Sequence, residues 1–217
     1  MQKGELRKSF DEAKYFFKGA LKNLRQVGTI LPTSRWIAQA MCKPLRKAIE
    51  NGQKPTVLEV GAGTGSVTKE VLSLISNLRY FVTCECNPFY CSYLKSLINS
   101  SVPLSVRKNG TIELFQGYIE DYTSDASFDF ILCAVPFLCF DVETNKRIMR
   151  KLKALSHPET IMTHIEHLGS RPVKLAISKE RRQFFRVVNK AQIDTEIVFK
   201  NYFPMVVVTI KPYYLDI

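Results

Sequence analysis

Alternating glycines and a later glutamate are the residues whose types and spacing could hold a small molecule. The apolar run 56–60 leads into the sequence GAGTG at 61–65, and a helical pattern follows. Glycines at a strand-to-helix turn let the backbone bend sharply and approach a ligand closely. The next apolar run ends in Glu85, where such folds place an acid that accepts hydrogen bonds from ribose hydroxyls. A tight turn without a ligand is the alternative, but the two features together predict a nucleoside site.

The spacing of the glycines narrows the class of ligand. A dinucleotide-binding loop reads G-x-G-x-x-G, whereas Ser66 holds the last of those positions here. The sequence has no Gly-Lys-Ser/Thr element to hold a triphosphate. With Glu59 in front, the loop reads E-x-G-x-G-x-G and resembles motif I of class I S-adenosylmethionine-dependent methyltransferases, whose ligand carries an amino acid in place of phosphates. This resemblance covers residues 56 to 212.

The resemblance implies S-adenosyl-L-methionine as the cofactor. The glycine loop would line its methionine and ribose portion, Glu85 would bind the ribose, and Asn87 or Phe89 would flank the adenine. Tyr118 stands where relatives often have an acid for the adenine amine, so Glu120 or a backbone amide is the alternative contact there. The residues expected to contact the cofactor are Glu59, Gly61, Ala62, Gly63, Thr64, Gly65, Glu85, Cys86, Asn87, Tyr118, Ile119, Cys133 and Ala134.

The elements that would position these residues alternate along the chain. Strand-like runs lie at 56–60, 80–85, 112–116, 128–134 and 160–165, and helix-like segments lie at 66–77, 88–99 and 141–154. Such alternation predicts a parallel sheet with helices on both faces. A helical pattern at 172–190 then precedes β-rich runs at 193–200 and 204–211, which predict an antiparallel hairpin. We expect an α/β, Rossmann-like class I methyltransferase fold with a mostly parallel seven-stranded sheet, a C-terminal antiparallel hairpin, and N-terminal helices at 5–26 and 34–49.

Charge is distributed unevenly over the 217 residues. Residues 1–55 carry twelve Lys and Arg against four Asp and Glu, residues 56–170 ten against twelve, and residues 171–217 nine against four. The length suits one hydrophobic core, so we expect a basic N-terminal helical segment at 1–55 that faces membrane or substrate, and a cofactor-binding domain at 56–217. The basic ends predict a polyanionic partner, either a membrane or a nucleic acid.

Composition argues against several other classes of protein. The six cysteines include no C-x-x-C pair, so we expect packed thiols in a reducing compartment and no metal site. The apolar run 128–140 is too short to span a bilayer, and the N-terminus lacks the apolar core of a secretory signal. We expect a cytoplasmic protein that associates peripherally with membranes, and its oligomeric state stays open.

The end of the fourth predicted strand bears on the methyl acceptor. In methyltransferases that modify adenine or glutamine nitrogens, this position reads Asn/Asp-Pro-Pro-Tyr or Asn-Leu-Pro-Tyr, and the polar residue accepts hydrogen bonds from the target amine. Ala134 stands there in this sequence. An unpaired amine in a closed site would cost about 1–3 kcal/mol, so a planar amide or aryl amine is disfavoured. Pro136 and Phe137 are expected to shape the substrate side.

Three local matches resemble bacterial phospholipid N-methyltransferases, which are related to the rRNA adenine dimethyltransferase-like group. The sequence VGTILPTSR at 27–35 resembles the segment before the core of that family, CAVPFL at 133–138 resembles its Ser-Gly-Leu-Pro-Leu/Phe-Leu, and NYFP at 201–204 resembles an Asn-x-x-Pro element. The resemblance implies N-methylation of phosphatidylethanolamine at an anionic membrane surface. Thr33 and Ser34 are then expected on the substrate side.

An amphipathic pattern in the N-terminal segment agrees with a membrane partner. Its apolar stripe consists of Leu6, Phe10, Ala13, Phe17, Leu21 and Leu24, and its basic flank of Arg7, Lys14, Lys18, Lys22 and Arg25. Bulky apolar residues beside lysines are typical of an interfacial helix. The alternative is that the stripe packs on the core. A second basic helical pattern, from Lys174 to Lys190, could extend the same surface or bind RNA.

The end of the fifth predicted strand carries His164, Glu166 and His167. A phosphoethanolamine amine arrives protonated, so we expect His167 or Glu166 to take the proton or hold the cation, with relatives placing a tyrosine near His167. Tyr15 and Tyr118 could enclose a methylated ammonium. Three functions stay open: a phospholipid N-methyltransferase, an rRNA adenine N6-methyltransferase, and a non-enzymatic binding protein with this fold.

Overall fold

The computed structural model describes residues 33–137, 139–168, 178–201 and 204–217. The predicted helix at 5–26 lies outside these ranges, as do Tyr15 and residues 172–177 of the 172–190 helical pattern. Within them, no helix is both long and apolar enough to cross a membrane.

Seven strands form one sheet in the order β3-β2-β1-β4-β5-β7-β6. Strands β1 to β5 pair in parallel, whereas β7 runs antiparallel to both β5 and β6. The predicted sheet with its C-terminal antiparallel hairpin is therefore confirmed. The strands are β1 (Thr56–Val60), β2 (Tyr80–Glu85), β3 (Ile112–Gln116), β4 (Phe128–Cys133), β5 (Ser156–His167), β6 (Gln192–Val198) and β7 (Met205–Ile210).

Four of the seven α-helices in the described residues begin at a polar residue whose side chain accepts a hydrogen bond from an amide of the first turn. Asp141 accepts a hydrogen bond from the Thr144 amide at 2.8 Å, and Ser34 accepts one from the Ile37 amide at 3.4 Å. The helices are α1 (Arg35–Met41), α2 (Lys43–Glu50), α3 (Ser66–Leu72), α4 (Pro88–Ser101), α5 (Leu104–Lys108), α6 (Val142–Ala154) and α7 (Lys179–Lys190).

Several element boundaries differ from the prediction. The helix expected at 34–49 is divided at Cys42 into α1 and α2. The helix expected at 66–77 ends at Leu72, because the Leu74 amide bonds to the Val71 carbonyl three residues back and tightens the chain. Strand β5 is longer than the predicted 160–165, since Ser156 pairs with Phe128 of β4 and Glu166 and His167 pair with β7. Exposed or polar strand ends carry no apolar alternation, which is why the pattern underestimated this strand.

The sheet lies between two layers of helices. Phe184 and Phe185 of α7 and Leu152 of α6 pack on one face, while Ile37 of α1 and Val71 of α3 pack on the other. Helices α1 and α2, which belong to the predicted N-terminal segment, therefore contribute to the core that covers the sheet. This arrangement leaves the carboxyl ends of the parallel strands as the open end of the fold.

Candidate functional site

The glycine loop after β1 adopts a backbone that few other residues tolerate. Gly61, Gly63 and Gly65 have φ angles of 76°, 54° and 76°. A Cβ atom on Gly65 would lie 2.9 Å from the Leu97 Cδ2 atom, and one on Gly61 would lie 3.4 Å from a Val135 methyl group. A Cβ atom on Gly63 would meet nothing within 4 Å. Two glycines thus allow close packing, and the middle one faces open space that a ligand could fill.

Glu85 connects this loop to the end of β2. One carboxylate oxygen accepts a hydrogen bond from the Gly63 amide and the other accepts one from the Asn87 amide, each at 2.8 Å. Burial raises the pKa of Glu85, while these two amide bonds lower it. Each carboxylate oxygen can accept more than one hydrogen bond. The side chain can therefore hold the loop and still accept bonds from ribose hydroxyls.

Glu59 occupies a different place from the one predicted. Its side chain is fully buried beneath the loop, where it accepts hydrogen bonds from the Thr68 and Thr83 hydroxyls at 2.8 Å. Burial raises its pKa to about 7, and the hydroxyl bonds partly oppose this shift. The expectation of direct cofactor contact is corrected here, because a side chain with no exposed surface acts by fixing α3 and β2 under the loop.

The residues after β2 and β3 lie close to Glu85. Asn87 is buried and caps α4 by accepting a hydrogen bond from the Phe89 amide at 3.0 Å. The Gly117 amide donates to the Glu85 carbonyl at 3.0 Å, which brings the segment after β3 against the end of β2. Burial, with Glu85 nearby, raises the pKa of the Cys86 thiol to about 12, so this cysteine is a neutral packing group.

Tyr118 and Ile119, in the segment after β3, differ in exposure to solvent. Tyr118 has 53% of its surface exposed, whereas Ile119 is buried. An exposed ring next to the end of β3 is available to cover a bound ligand. Contact between Tyr118 and the adenine of the cofactor therefore stays a prediction. The tyrosine ring would make this contact, whereas relatives often use an acidic side chain at the same position. Of the other residues expected at the cofactor, Ala62 and Thr64 are buried and Ala134 is half-buried. Cys133 has no exposed surface, so its expected cofactor contact is corrected as for Glu59.

The end of β4 lies directly beside the glycine loop. The Ala134 amide donates to the Val60 carbonyl at 2.9 Å, and Val135 packs against Gly61. Pro136 is half-buried at this edge. Phe137 was expected on the substrate side, but a tight turn between its amide and the Val135 carbonyl directs it into the core, where it is 1% exposed. That expectation is corrected.

The end of β5 brings together two of the three titratable residues noted there. His164 and Glu166 share one face of the strand, because they are two residues apart, and the His164 Nε2 atom lies 3.0 Å from a Glu166 carboxylate oxygen. Both are buried, and His164 Nδ1 has no hydrogen-bond partner. His167 is exposed on the other face. The alternation of the strand could have revealed the His164–Glu166 pair, which the sequence interpretation did not assign.

The strand register aligns the carboxyl ends of β2, β1, β4 and β5 in one row across the sheet. Cys84, Val60, Cys133 and His164 are successive partners across β2, β1, β4 and β5. Just beyond that row, at the carboxyl ends of the strands, lie the glycine loop, Glu85, Ala134 and Glu166. Open α/β sheets bind their ligands at this end. Ser34 caps α1 and donates to the Lys200 carbonyl at 3.1 Å, and Thr33 before it is half-buried. Their place on the substrate side stays a prediction. Among the described residues, no group of three or more His, Cys, Asp or Glu side chains could hold a metal ion.

Comparison with known proteins identifies the fold. Neither a family model nor a curated protein matches the chain. Among solved structures, the N-methyltransferase NodS from Bradyrhizobium japonicum, in complex with S-adenosyl-L-homocysteine, matches with a TM-score of 0.61 and 10% identity over 91% of this chain and 98% of that one. The precorrin-6y C5,15-methyltransferase from Geobacter metallireducens matches with a TM-score of 0.59 and 16% identity over 83% and 89%.

A candidate RNA methyltransferase from Pyrococcus horikoshii also matches, with a TM-score of 0.54 and 14% identity over 90% and 97% of the two chains. These matches have different acceptors and low identity. They therefore show the Rossmann-like class I methyltransferase fold, and the resemblance to phospholipid N-methyltransferases rests on the sequence motifs alone.

Proposed function

We propose that the protein is an S-adenosyl-L-methionine-dependent methyltransferase. The observation that carries the proposal is the hydrogen bond between Glu85 and the Gly63 amide, at the carboxyl ends of strands in this fold. The open space at Gly63 suits the methionine and ribose portion of the cofactor, and the Glu85 carboxylate suits its ribose hydroxyls. When bound, the cofactor supplies an electrophilic methyl group.

The acceptor that we propose is the amine of a phosphatidylethanolamine head group. Ala134 sits beside the glycine loop and offers no side-chain oxygen to a planar amine, whereas an aliphatic ammonium needs a carboxylate or aromatic partner instead. Glu166, held by His164, supports this choice, because its carboxylate follows the same row of the sheet as Ala134. The three sequence motifs of the phospholipid family support it as well.

In this proposal the residues at the end of β5 bind the positively charged amine of the acceptor and remove its proton. Methyl transfer to nitrogen is an in-line displacement, so the protein must position the amine and remove its proton. Glu166 would attract the ammonium, and the exposed imidazole of His167 would take its proton. His164 would orient Glu166 through its Nε2–H group.

We further propose that the protein works at the cytoplasmic surface of a membrane. The amphipathic pattern at 6–25 and the overall charge of +11 support association with anionic lipids. Deleting residues 1–25 should therefore weaken cosedimentation with anionic vesicles, and added salt should weaken that of the whole protein. Equal binding by the truncated protein would mean that the stripe packs on the core.

An rRNA adenine N6-methyltransferase is the second candidate. The basic ends of the chain favour it, and one matched structure is a candidate RNA methyltransferase. Ala134 argues against it, because the amine of a flipped adenine would lack its usual acceptor.

A labelled-methyl assay can separate the two acceptors. The full-length protein is incubated with methyl-labelled cofactor, phosphatidylethanolamine vesicles and total RNA, and the lipid and RNA fractions are extracted separately. We expect label in the lipid fraction and none in RNA. Label at a defined adenine with unlabelled lipid would contradict the lipid acceptor while leaving the methyltransferase proposal intact.

A further inference from the structure

An aromatic and basic surface lies where α1 begins and β6 ends; its residues are Arg35, Trp36, Phe199 and Lys200, and we name it the rim patch. Trp36 is 37% exposed and Phe199 is 69% exposed, a high value for a phenylalanine. The Arg35 guanidinium and the Lys200 ammonium each lie 4.6 Å from the centroid of the Trp36 ring. The Ser34 hydroxyl bonds to the Lys200 carbonyl and joins the two segments. The patch is thus a built arrangement of one indole and two cations.

The rim patch lies at the same end of the sheet as the candidate site. Val198, the last residue of β6, pairs with Met205, and Met205 pairs with His167 at the end of β5. Phe199 and Lys200 follow Val198 directly, so they extend beyond the strand ends on the side of the glycine loop. A surface that contacts the patch would therefore lie next to the opening of the site.

The chemistry of the patch suits the interface of an anionic bilayer. Tryptophan settles at the level of lipid head groups, arginine and lysine bind lipid phosphates, and an exposed phenylalanine inserts between acyl chains. Stacking of an RNA base on Trp36 would have to displace a cation that already lies over the ring. A bilayer needs no free ring face, so the observed packing favours lipid over nucleic acid.

We propose that the rim patch docks onto an anionic lipid bilayer and turns the carboxyl ends of the strands towards the membrane. This inference rests on the proposed lipid function and adds a second contact to the N-terminal amphipathic pattern, on residues that the fold holds in place. It assigns to Trp36 the role of an interfacial anchor and to Arg35 and Lys200 the binding of lipid phosphates.

Trp36 is the one tryptophan of the chain, so its fluorescence reports on the patch directly. The full-length protein is titrated with phosphatidylcholine vesicles with and without phosphatidylglycerol, and then with vesicles whose acyl chains carry bromine. We expect a blue shift of the emission with the anionic vesicles and quenching by the brominated lipids. Vesicles without anionic lipid should produce a smaller shift.

Variants then separate the patch from the rest of the surface. Arg35→Gln and Lys200→Gln should each weaken vesicle binding roughly fivefold, the effect of removing one cation near an anionic surface. Phe199→Ser should weaken both binding and quenching. Lys95→Gln and Leu104→Ser are the matched controls, since both residues are exposed on helices away from the open end. Both controls should bind vesicles as the wild type does.

The outcomes distinguish this inference from the proposed function. If vesicles bind but the Trp36 emission neither shifts nor is quenched, the rim patch is not the docking surface, even when lipid becomes methylated. If single-stranded RNA shifts the emission and vesicles do not, the patch binds nucleic acid and the inference is wrong. If brominated lipid quenches Trp36 while phosphatidylethanolamine stays unlabelled, the inference stands and the acceptor proposal fails.

Discussion

The Glu85 carboxylate accepts a hydrogen bond from the Gly63 amide at 2.8 Å, across the gap between the ends of β1 and β2. The acid proposed to bind the ribose therefore also holds the loop proposed to line the methionine portion. Because one side chain serves both contacts, its replacement should affect ligand binding more than the loss of a single hydrogen bond would.

Glu85→Ala should weaken S-adenosylmethionine binding by about tenfold or more, since a charge-assisted acceptor and the anchor of the loop are both lost. Titration calorimetry measures the change. Glu159→Gln is the control, because Glu159 lies at the opposite end of the sheet in an exposed ion pair with Lys211. Absence of binding heat with the wild-type protein would contradict the cofactor proposal itself.

Gly63→Val should weaken cofactor binding by about tenfold or more, because the new side chain fills the open space and strains a backbone with positive φ. Gly52→Val is a matched control, since Gly52 also has a positive φ and open space around its Cβ position. Both variants should lose roughly 1–2 kcal/mol of unfolding free energy. Equal cofactor affinity in the two variants would show that the loop contacts no ligand.

Glu59 should make stability depend on pH. Its pKa is about 7 in the folded protein, against an ordinary value of 4.5, so between these values the native state keeps a proton that the unfolded chain has lost. The free energy of unfolding therefore falls as pH rises through this window, by roughly 2–3 kcal/mol between about pH 5 and pH 8.

Glu59→Gln removes that titration, so urea unfolding of both proteins at the two pH values isolates it. The variant should gain stability relative to the wild type as pH rises. The comparison also cancels the contribution of Asp129, whose pKa is lowered by hydrogen bonds from Thr56 and by His157 in spite of its partial burial. A difference between the two proteins that does not change with pH would show that Glu59 ionises normally.

Glu166→Gln and His167→Asn should lower turnover about tenfold or more while changing cofactor affinity little, if these residues hold the ammonium and take its proton. Steady-state rates and calorimetry on the same preparations separate the two quantities. His157→Asn is the control, because His157 pairs with Asp129 at the amino ends of the strands. A variant that loses affinity and turnover equally would indicate a structural role.

Ala134→Asn should leave lipid methylation no faster than in the wild type, because an aliphatic ammonium does not use a planar amide acceptor. Transfer of labelled methyl groups to phosphatidylethanolamine measures this. Faster methylation of lipid, or new labelling of RNA adenine, by the variant would contradict this prediction. It would show that the position of Ala134 selects a planar amine.

Much of this architecture was predictable because its determinants are local. Apolar and β-rich runs located the seven strands, helical patterns located α4 and α6, and the glycine spacing with Glu85 located the candidate ligand site. Each of these patterns reflects backbone preferences over a few neighbouring residues. The mostly parallel sheet with its C-terminal antiparallel hairpin followed from these patterns and the family resemblance, whereas the order of the strands within the sheet comes from the structure.

The sequence by itself thus determined the order of the helices and strands along the chain and the residue types of the glycine loop. Tertiary packing decided which side chains contact each other. Glu59 lies under the loop because Thr68 and Thr83 approach it from α3 and β2, and Phe137 turns inward against the ring of His164. Arg35 and Lys200 meet over one indole although 165 positions separate them in the chain. Such contacts depend on strand register and on helices packed across the sheet, and the periodicity of a single segment carries no information about either.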